Sequence, residues 1–345
     1  MSIRLADDTR PAPRYRASAT TRFDLSLSEN PFPPLPSVLE AVHGVLAQAN
    51  RYPEFLPRRL PRLIAGHLGV HEDQVVVGAG ATGVAMQIMQ SLTTPGSGIV
   101  FGSPTFDGYP IMAGMAGLDA VPVRLDSAGG QDIRAMVRAI DKRTGLVVLC
   151  RPHNPTGTVL SVDELKAFLC AVPSRIPVIL DEAYAEFLAP ADRADSIALL
   201  ERHPNLLVLR TFSKAYGLAG LRIGYCFGRR EVAARVRKMQ LPFGVGAAAV
   251  VAVAESYAAE PELRARIMRI TTEREALRNS LRRCGIAVPR SHANFLYLPG
   301  PGVATALRRA GIGAKAYPDG SARVAVGDPE ADRAVLAALE FLRPG

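Results

Sequence analysis

Residues 211–225 read T-F-S-K-A-Y-G-L-A-G-L-R-I-G-Y, and the rest of the chain is organised around them. They follow Leu206-Leu207-Val208-Leu209, an apolar run whose length and flanks predict a buried strand. Lys214 stands in the turn beyond that strand. It is one of five lysines, with Lys142, Lys166, Lys238 and Lys315, in a chain whose positive charge is nearly all arginine. Arginine stays charged, whereas a lysine can lose its proton and attack a carbonyl. Ser213 precedes Lys214, glycines follow at 217, 220 and 224, and Arg222 lies eight residues on. A hydroxyl, an arginine and close backbone approach suit a phosphate. An amine beside a phosphate site is what a Schiff base to pyridoxal phosphate (PLP) requires. Taken alone, the stretch reads equally well as a strand-to-loop turn with a solvated lysine.

Outward from this stretch, strand and helix alternate. Val75-Val76-Val77 leads into Gly78-Ala79-Gly80-Ala81-Thr82-Gly83 and a helix with Val84, Ile88 and Leu92 on one face. Ile99–Phe101, Val121–Val123, Leu146–Leu149 and Pro177–Leu180 are further short strands, and Tyr225–Phe227 is another. Helices are predicted over 133–140 and from Ser161, where Glu164 completes a capping box. Earlier, Ser37 caps a helix to about Ala49, and residues 60–68 form one ending at Gly69. Short apolar runs separated by helices imply an α/β fold with a mostly parallel sheet covered on both faces. In such sheets ligands sit beyond the carboxyl ends of the strands. After the break at 241–246 come helices over 247–259 and 261–283, then short strands at 295–297 and 322–326, a smaller α+β unit. The expected division is 1–36 as arm and lead-in, 37–245 as the large domain and 246–345 as the small one.

The strand ends carry the chemistry. The glycines at 78, 80 and 83 place the amides of Ala81 and Thr82 at a helix N-terminus, where anions bind, although a plain tight turn explains them as well. Asp181 ends a buried strand and needs a cation or several donors. It is either a helix cap or the partner of a protonated pyridine nitrogen. Tyr184 and Asn154 could hydrogen-bond the ring oxygen of such a cofactor, and Phe106 could stack on its face. Each has a structural alternative: a half-buried tyrosine, an Asn-Pro turn, a core phenylalanine. Their common position at strand ends makes coincidence a poor explanation.

Composition excludes several classes. The chain has 345 residues, 48% of them hydrophobic, enough for a large core. No run is long and apolar enough to span a bilayer, and no secretory signal is recognisable at the N-terminus. Cys150, Cys170, Cys226 and Cys284 are dispersed without C-x-x-C spacing, as expected of free thiols in the cytoplasm. His67 and His71 lack the glutamate of H-E-x-x-H and read as two solvated histidines, so no metal is expected. The net charge of +9 comes from arginines spread along the chain, and their clusters lack interleaved aromatics. They read mostly as solvated faces, with a bias toward anionic, phosphorylated substrates as the minor option, and no nucleic-acid partner is expected.

Taken together, the chain resembles the fold type I PLP-dependent aminotransferases, and within them the histidinol-phosphate aminotransferase group, whose close relatives act on aromatic amino acids. The resemblance rests on Ser28-Glu29-Asn30-Pro31, Arg51-Tyr52-Pro53, residues 78–83, His153–Gly157, Asp181–Tyr184, Thr211–Tyr225, Ala293-Asn294-Phe295 and Ala322-Arg323-Val324. It implies that Lys214 carries the Schiff base and shuttles the Cα proton. Ser213, Arg222 and the Ala81 and Thr82 amides would hold the phosphate, and Tyr52 would reach it from the other subunit of a homodimer. Arg323 would take the substrate carboxylate or the phosphate of histidinol phosphate. Asn30 lies on the segment closing over substrate, and Tyr15 is a candidate lining residue. The chain departs from the family pattern at Thr82, usually acidic, and at Arg151 and His153, often asparagines. These departures bear on specificity. The expected reaction moves an amino group from an aromatic amino acid or histidinol phosphate to a 2-oxo acid such as 2-oxoglutarate. The rivals are a PLP decarboxylase or oxidase on the same scaffold and a catalytically silent regulator.

Overall fold

The computed structural model describes residues 21–340; Tyr15 lies outside the described residues. The described chain opens on strand β1 (Phe23–Asp24), then helices α1 (Pro36–Leu46) and α2 (Arg59–Leu68). Alternation begins with β2 (Val75–Ala79), α3 (Gly80–Leu92), β3 (Gly98–Ser103), α4 (Gly108–Met115) and β4 (Asp119–Arg124). It continues through α5 (Ile133–Arg138), β5 (Thr144–Cys150), α6 (Val162–Ala171), β6 (Val178–Asp181), α7 (Ser196–Arg202) and β7 (Leu206–Thr211). Next come β8 (Ile223–Gly228), α8 (Arg230–Arg237), α9 (Ala247–Ala258) and the long α10 (Glu260–Arg283). The last stretch holds β9 (Phe295–Leu298), α11 (Val303–Arg309), β10 (Ile312–Gly313), β11 (Lys315–Ala316), β12 (Ala322–Ala325) and α12 (Pro329–Leu339).

Seven strands form one sheet in the order β2-β8-β7-β6-β5-β3-β4. The pairs from β7 through β4 are parallel, whereas β8 runs antiparallel to both β7 and β2. The reason is the connection. Parallel neighbours need a crossover, usually a helix, and residues 212–222 between β7 and β8 supply only a short 3-10 turn at Ala219–Leu221. Period-two alternation divides the core. Val75 and Val77 join the cluster under α1, α2, α6 and α9, while Val76 joins the one under α3, α4 and α8. Both faces are covered, which is why the strands read as continuous apolar runs.

A second, antiparallel sheet, β11-β12-β9, shares a separate buried cluster with α10, α11 and α12. The lead-in segment is tied to it: β1 pairs in parallel with β10, matching Phe23 to Ile312. Among the described residues no helix is long and apolar enough to cross a membrane.

The capping box at Ser161 forms as expected: its hydroxyl accepts from the Glu164 amide, and the Glu164 carboxylate accepts from the Ser161 amide. Gly69 ends α2 in the left-handed region, at φ 72°. Ser37 does not cap α1. Pro36, whose ring fixes φ, occupies the first turn, Leu35 is the boundary residue, and the helix ends three residues before Ala49. His67 is more than a solvated histidine, since its ring stacks on Tyr257 with centroids 3.8 Å apart.

Candidate active site

The parallel strands deliver their C-terminal ends to one edge of the sheet. Cys150 at the end of β5 is in register with Asp181 at the end of β6, and β7 runs directly into Ser213 and Lys214. The N-terminus of α3 and residues 26–29 of the lead-in segment close over them, with Arg323 of β12 facing across. Together they line a cavity of about 450 Å³.

At its centre, the Lys214 amine donates to the Ser28 carbonyl at 2.9 Å and to Ser28 Oγ at 2.7 Å. Burial, and next the nearby Arg323 charge, lower its pKa to about 7. Charge is costly away from water, so burial favours the uncharged, nucleophilic form of this amine. Tyr184 OH lies 2.8 Å from the same Ser28 Oγ, and burial pushes the phenol up to about 12, so it remains a protonated donor.

Asp181 forms the floor. Its Oδ2 accepts from Tyr109 OH at 2.6 Å and its Oδ1 from the Ala183 amide at 3.0 Å. Burial raises its pKa, while these donors act in the opposite direction. A carboxylate held this way lacks a cation among its hydrogen-bond partners and suits a protonated ring nitrogen. On the opposite wall, Arg222 adopts φ 54°, in the left-handed region that side chains rarely visit. Its Nη1 donates to the Ala219 carbonyl at 2.9 Å. A β-carbon on Gly80 would sit 2.2 Å from Arg222 Nη2, and one on Gly224 would sit 2.2 Å from the Ala81 nitrogen. The backbone contact makes glycine necessary at 224, and the φ of 75° favours it at 80. The Ala81 and Thr82 end of α3, Ser213 and Arg222 converge on the cavity as donors without a carboxylate among them. That set suits a phosphate dianion, and with Asp181 opposite, the residues fit a phosphorylated pyridine cofactor.

Arg323 donates from Nη1 to Asn154 Oδ1 at 2.7 Å and from Nη2 to the Ser26 carbonyl at 2.8 Å. Its Nε is buried without a hydrogen-bond partner among the described residues. Phe106 also lines the cavity, packed edge-on to Tyr109. Three expected residues lie outside the lining. Gly80 shapes the arginine cradle from behind. Asn30 donates its side-chain amide to the carbonyls of Lys214 and Ala215, at 3.2 and 3.0 Å, and so holds the lysine loop. Tyr52 is 83% exposed and rests on Phe243.

Arg151 and His153, departures from the family pattern, do not reach the cavity. Arg151 is fully buried and donates to the Leu160 and Asp192 carbonyls, and the His153 ring meets the Pro104 carbonyl. Burial lowers the pKa of His153 to about 4, so it stays neutral. Sequence reasoning assigned no role to Ser28, Tyr109, Asp107, Lys315 or Tyr317. The rarity of lysine was a usable signal for Lys315. For Tyr109 there was none, since one aromatic on an apolar helix reads as core. Among the described residues, no group of histidines, cysteines and acids is arranged to hold a metal.

A largely parallel α/β sheet with a buried lysine, an anion cradle and a buried carboxylate around one cavity defines the fold type I transferase class. The sequence model of the aminotransferase class I and II family matches residues 20–339, and the chain belongs to that family. It is 42% identical, over 99% of its length and all of the relative's, to an aromatic amino acid aminotransferase of Cutibacterium acnes. A Streptomyces avermitilis protein of the same name is 39% identical over 97% of this chain and 94% of its own. Among solved structures, the histidinol-phosphate aminotransferase of Sinorhizobium meliloti in complex with pyridoxal-5'-phosphate superposes with a TM-score of 0.86. That match is 26% identical and covers 93% of this chain and 90% of the other.

Proposed function

We propose that this aminotransferase binds PLP in the cavity and transfers the amino group of an aromatic amino acid to a 2-oxo acid, 2-oxoglutarate being the expected acceptor. The donor assignment is carried by the 42% identity, along essentially the whole chain, to a relative named for aromatic amino acids. The cofactor assignment is supported by the match between the donors around Lys214 and a phosphorylated pyridine.

Bound PLP supplies an electrophilic aldehyde and an electron sink for the pair left when the substrate Cα–H bond breaks. Ser213, Arg222 and the Ala81 and Thr82 amides bind its phosphate. Asp181 keeps the ring nitrogen protonated, steadied in its ionised form by Tyr109. Tyr184 and the Asn154 side-chain amide donate to the ring oxygen, and Phe106 packs against the ring. Lys214 Nζ, in its uncharged form, accepts the proton from the substrate Cα. Ser28 and Tyr184 orient that amine. Arg323 exchanges its neutral partners, Asn154 Oδ1 and the Ser26 carbonyl, for the substrate carboxylate, a stronger charge-assisted pair.

The functional unit in this reading is a homodimer in the cytoplasm. The exposed Tyr52, beside Phe55 and Phe243, supports a surface that reaches a second copy, and four free cysteines suit a reducing compartment. Absorption spectroscopy during titration with PLP, then with phenylalanine or histidinol phosphate, tests the reading. The expected result is a PLP band that requires Lys214 and converts to pyridoxamine phosphate on adding phenylalanine. Conversion by histidinol phosphate alone would reassign the donor. A band that Lys214→Ala retains would remove the central role of the lysine.

A further inference from the structure

We propose that Asp107 is a specificity-determining residue whose carboxylate competes for Lys315 with an anionic side chain, so that a dicarboxylate such as the 2-oxo acid acceptor binds there only by displacing it, whereas an aromatic side chain does not. The inference rests on the transaminase reading of the same cavity and adds a rule for what it selects.

Lys315 of β11 is directly opposite Arg323 of β12 in the antiparallel pair. Directly opposed residues project to the same face of a sheet, with Cβ atoms about 5 Å apart. Both side chains line the cavity. Two cations side by side repel unless each has a partner, and here the partners differ in kind. Arg323 is held by two neutral oxygens, and Lys315 by the Asp107 carboxylate. One position thus awaits a carboxylate, and the other already has one.

Asp107 immediately follows Phe106 and stands at the boundary of α4, a place where aspartate normally caps the helix. It makes no such cap; its side chain reaches across the mouth of the cavity to Lys315 instead. The pair is also exchangeable. The Asp107 side chain is 53% exposed and that of Lys315 14%, so water and salt weaken their attraction. An anionic side chain entering beside Arg323 must displace Asp107 to reach Lys315. An aromatic ring meets no such competitor, and the ring of Tyr317, 5.6 Å from that of Tyr297 and with Lys315 Nζ 5.8 Å from its centre, lines the same cavity.

Calorimetric titration of the PLP-loaded protein with glutarate and with 3-phenylpropionate decides the matter, as a measurement separate from turnover. Asp107→Asn keeps the residue's size and removes no cap. It is expected to bind glutarate about tenfold more tightly than the unaltered protein, with 3-phenylpropionate changed by less than about twofold. In a Lys315→Met background the same substitution should give no gain. The ratio of kcat/KM for glutamate to that for phenylalanine should rise in parallel, by about tenfold. Unchanged glutarate affinity in Asp107→Asn, or a gain that survives Lys315→Met, overturns the inference. Failure to turn over phenylalanine would overturn the functional reading instead, and the glutarate titration would still decide the role of Asp107.

Discussion

Burial beside a second cation, Arg323, lowers the pKa of the Lys214 amine to about 7. The sign of the pH effect follows. Below about 7 the amine is charged and inert, so PLP capture should rise with pH through 7 and then level off. Arg323→Gln removes the second-largest cause of the depression, and its capture curve should move to higher pH. Stopped-flow absorbance across a pH series measures both; superimposable curves would mean burial alone sets the pKa. At this scale the sequence was legible wherever a residue type was out of place. A rare lysine after a strand, a carboxylate ending a buried strand and an arginine among glycines all announced themselves. Tyr109 and Ser28 did not. Their roles arise from a helix face and a lead-in segment brought to the site by tertiary packing, and neither leaves a local pattern.

The contact between β8 and the first turn of α3 carries the geometry of the phosphate cradle at the level of elements. Gly224 lies in regular strand, so its lack of a side chain matters only because the Ala81 backbone presses against it. Gly224→Ala should cost about 2 kcal/mol or more by overpacking and weaken PLP retention. Gly220→Ala, with nothing within 4 Å of the added carbon, should change stability by less than about 0.5 kcal/mol. Thermal melts with and without PLP make the comparison; equal losses would place the strain elsewhere. The major strands and helices were readable from their apolar periods, because burial on both faces dictates them. The antiparallel turn of β8 was not, since hydrophobic runs do not encode direction. Nor were β1, β10 and β11, for two-residue strands are too short to show a period. Ser37 misled because the helix start is fixed by proline ring geometry, which needs no side-chain cap.

On the scale of the whole molecule, Tyr52 is the residue that its own cavity leaves out. A symmetric dimer would carry it to the partner's phosphate, so each site would draw on two chains. Mixing Lys214→Ala and Tyr52→Ala chains then assembles some dimers with one intact site. At limiting PLP, activity should return to about a quarter of the unaltered level after random reassortment, well above either variant alone. A mixture no better than the sum of its parts would confine each site to one chain. Within one chain, residues 25–29 and 294–325 also meet at the site. Asn294 donates to the carbonyls of Ser28 and Glu29, Ala325 donates to that of Leu25, and Arg323 to that of Ser26. The segment that meets the Lys214 amine is therefore held from two sides, by Tyr184 and the lysine loop and by residues 294–325, and the second hold is missing until β12 exists. On the ribosome the pocket therefore stays incomplete until β12 has emerged. The large sheet is synthesised first, and a polypeptide released early carries its lysine against a lead-in segment that only one of its two holds secures.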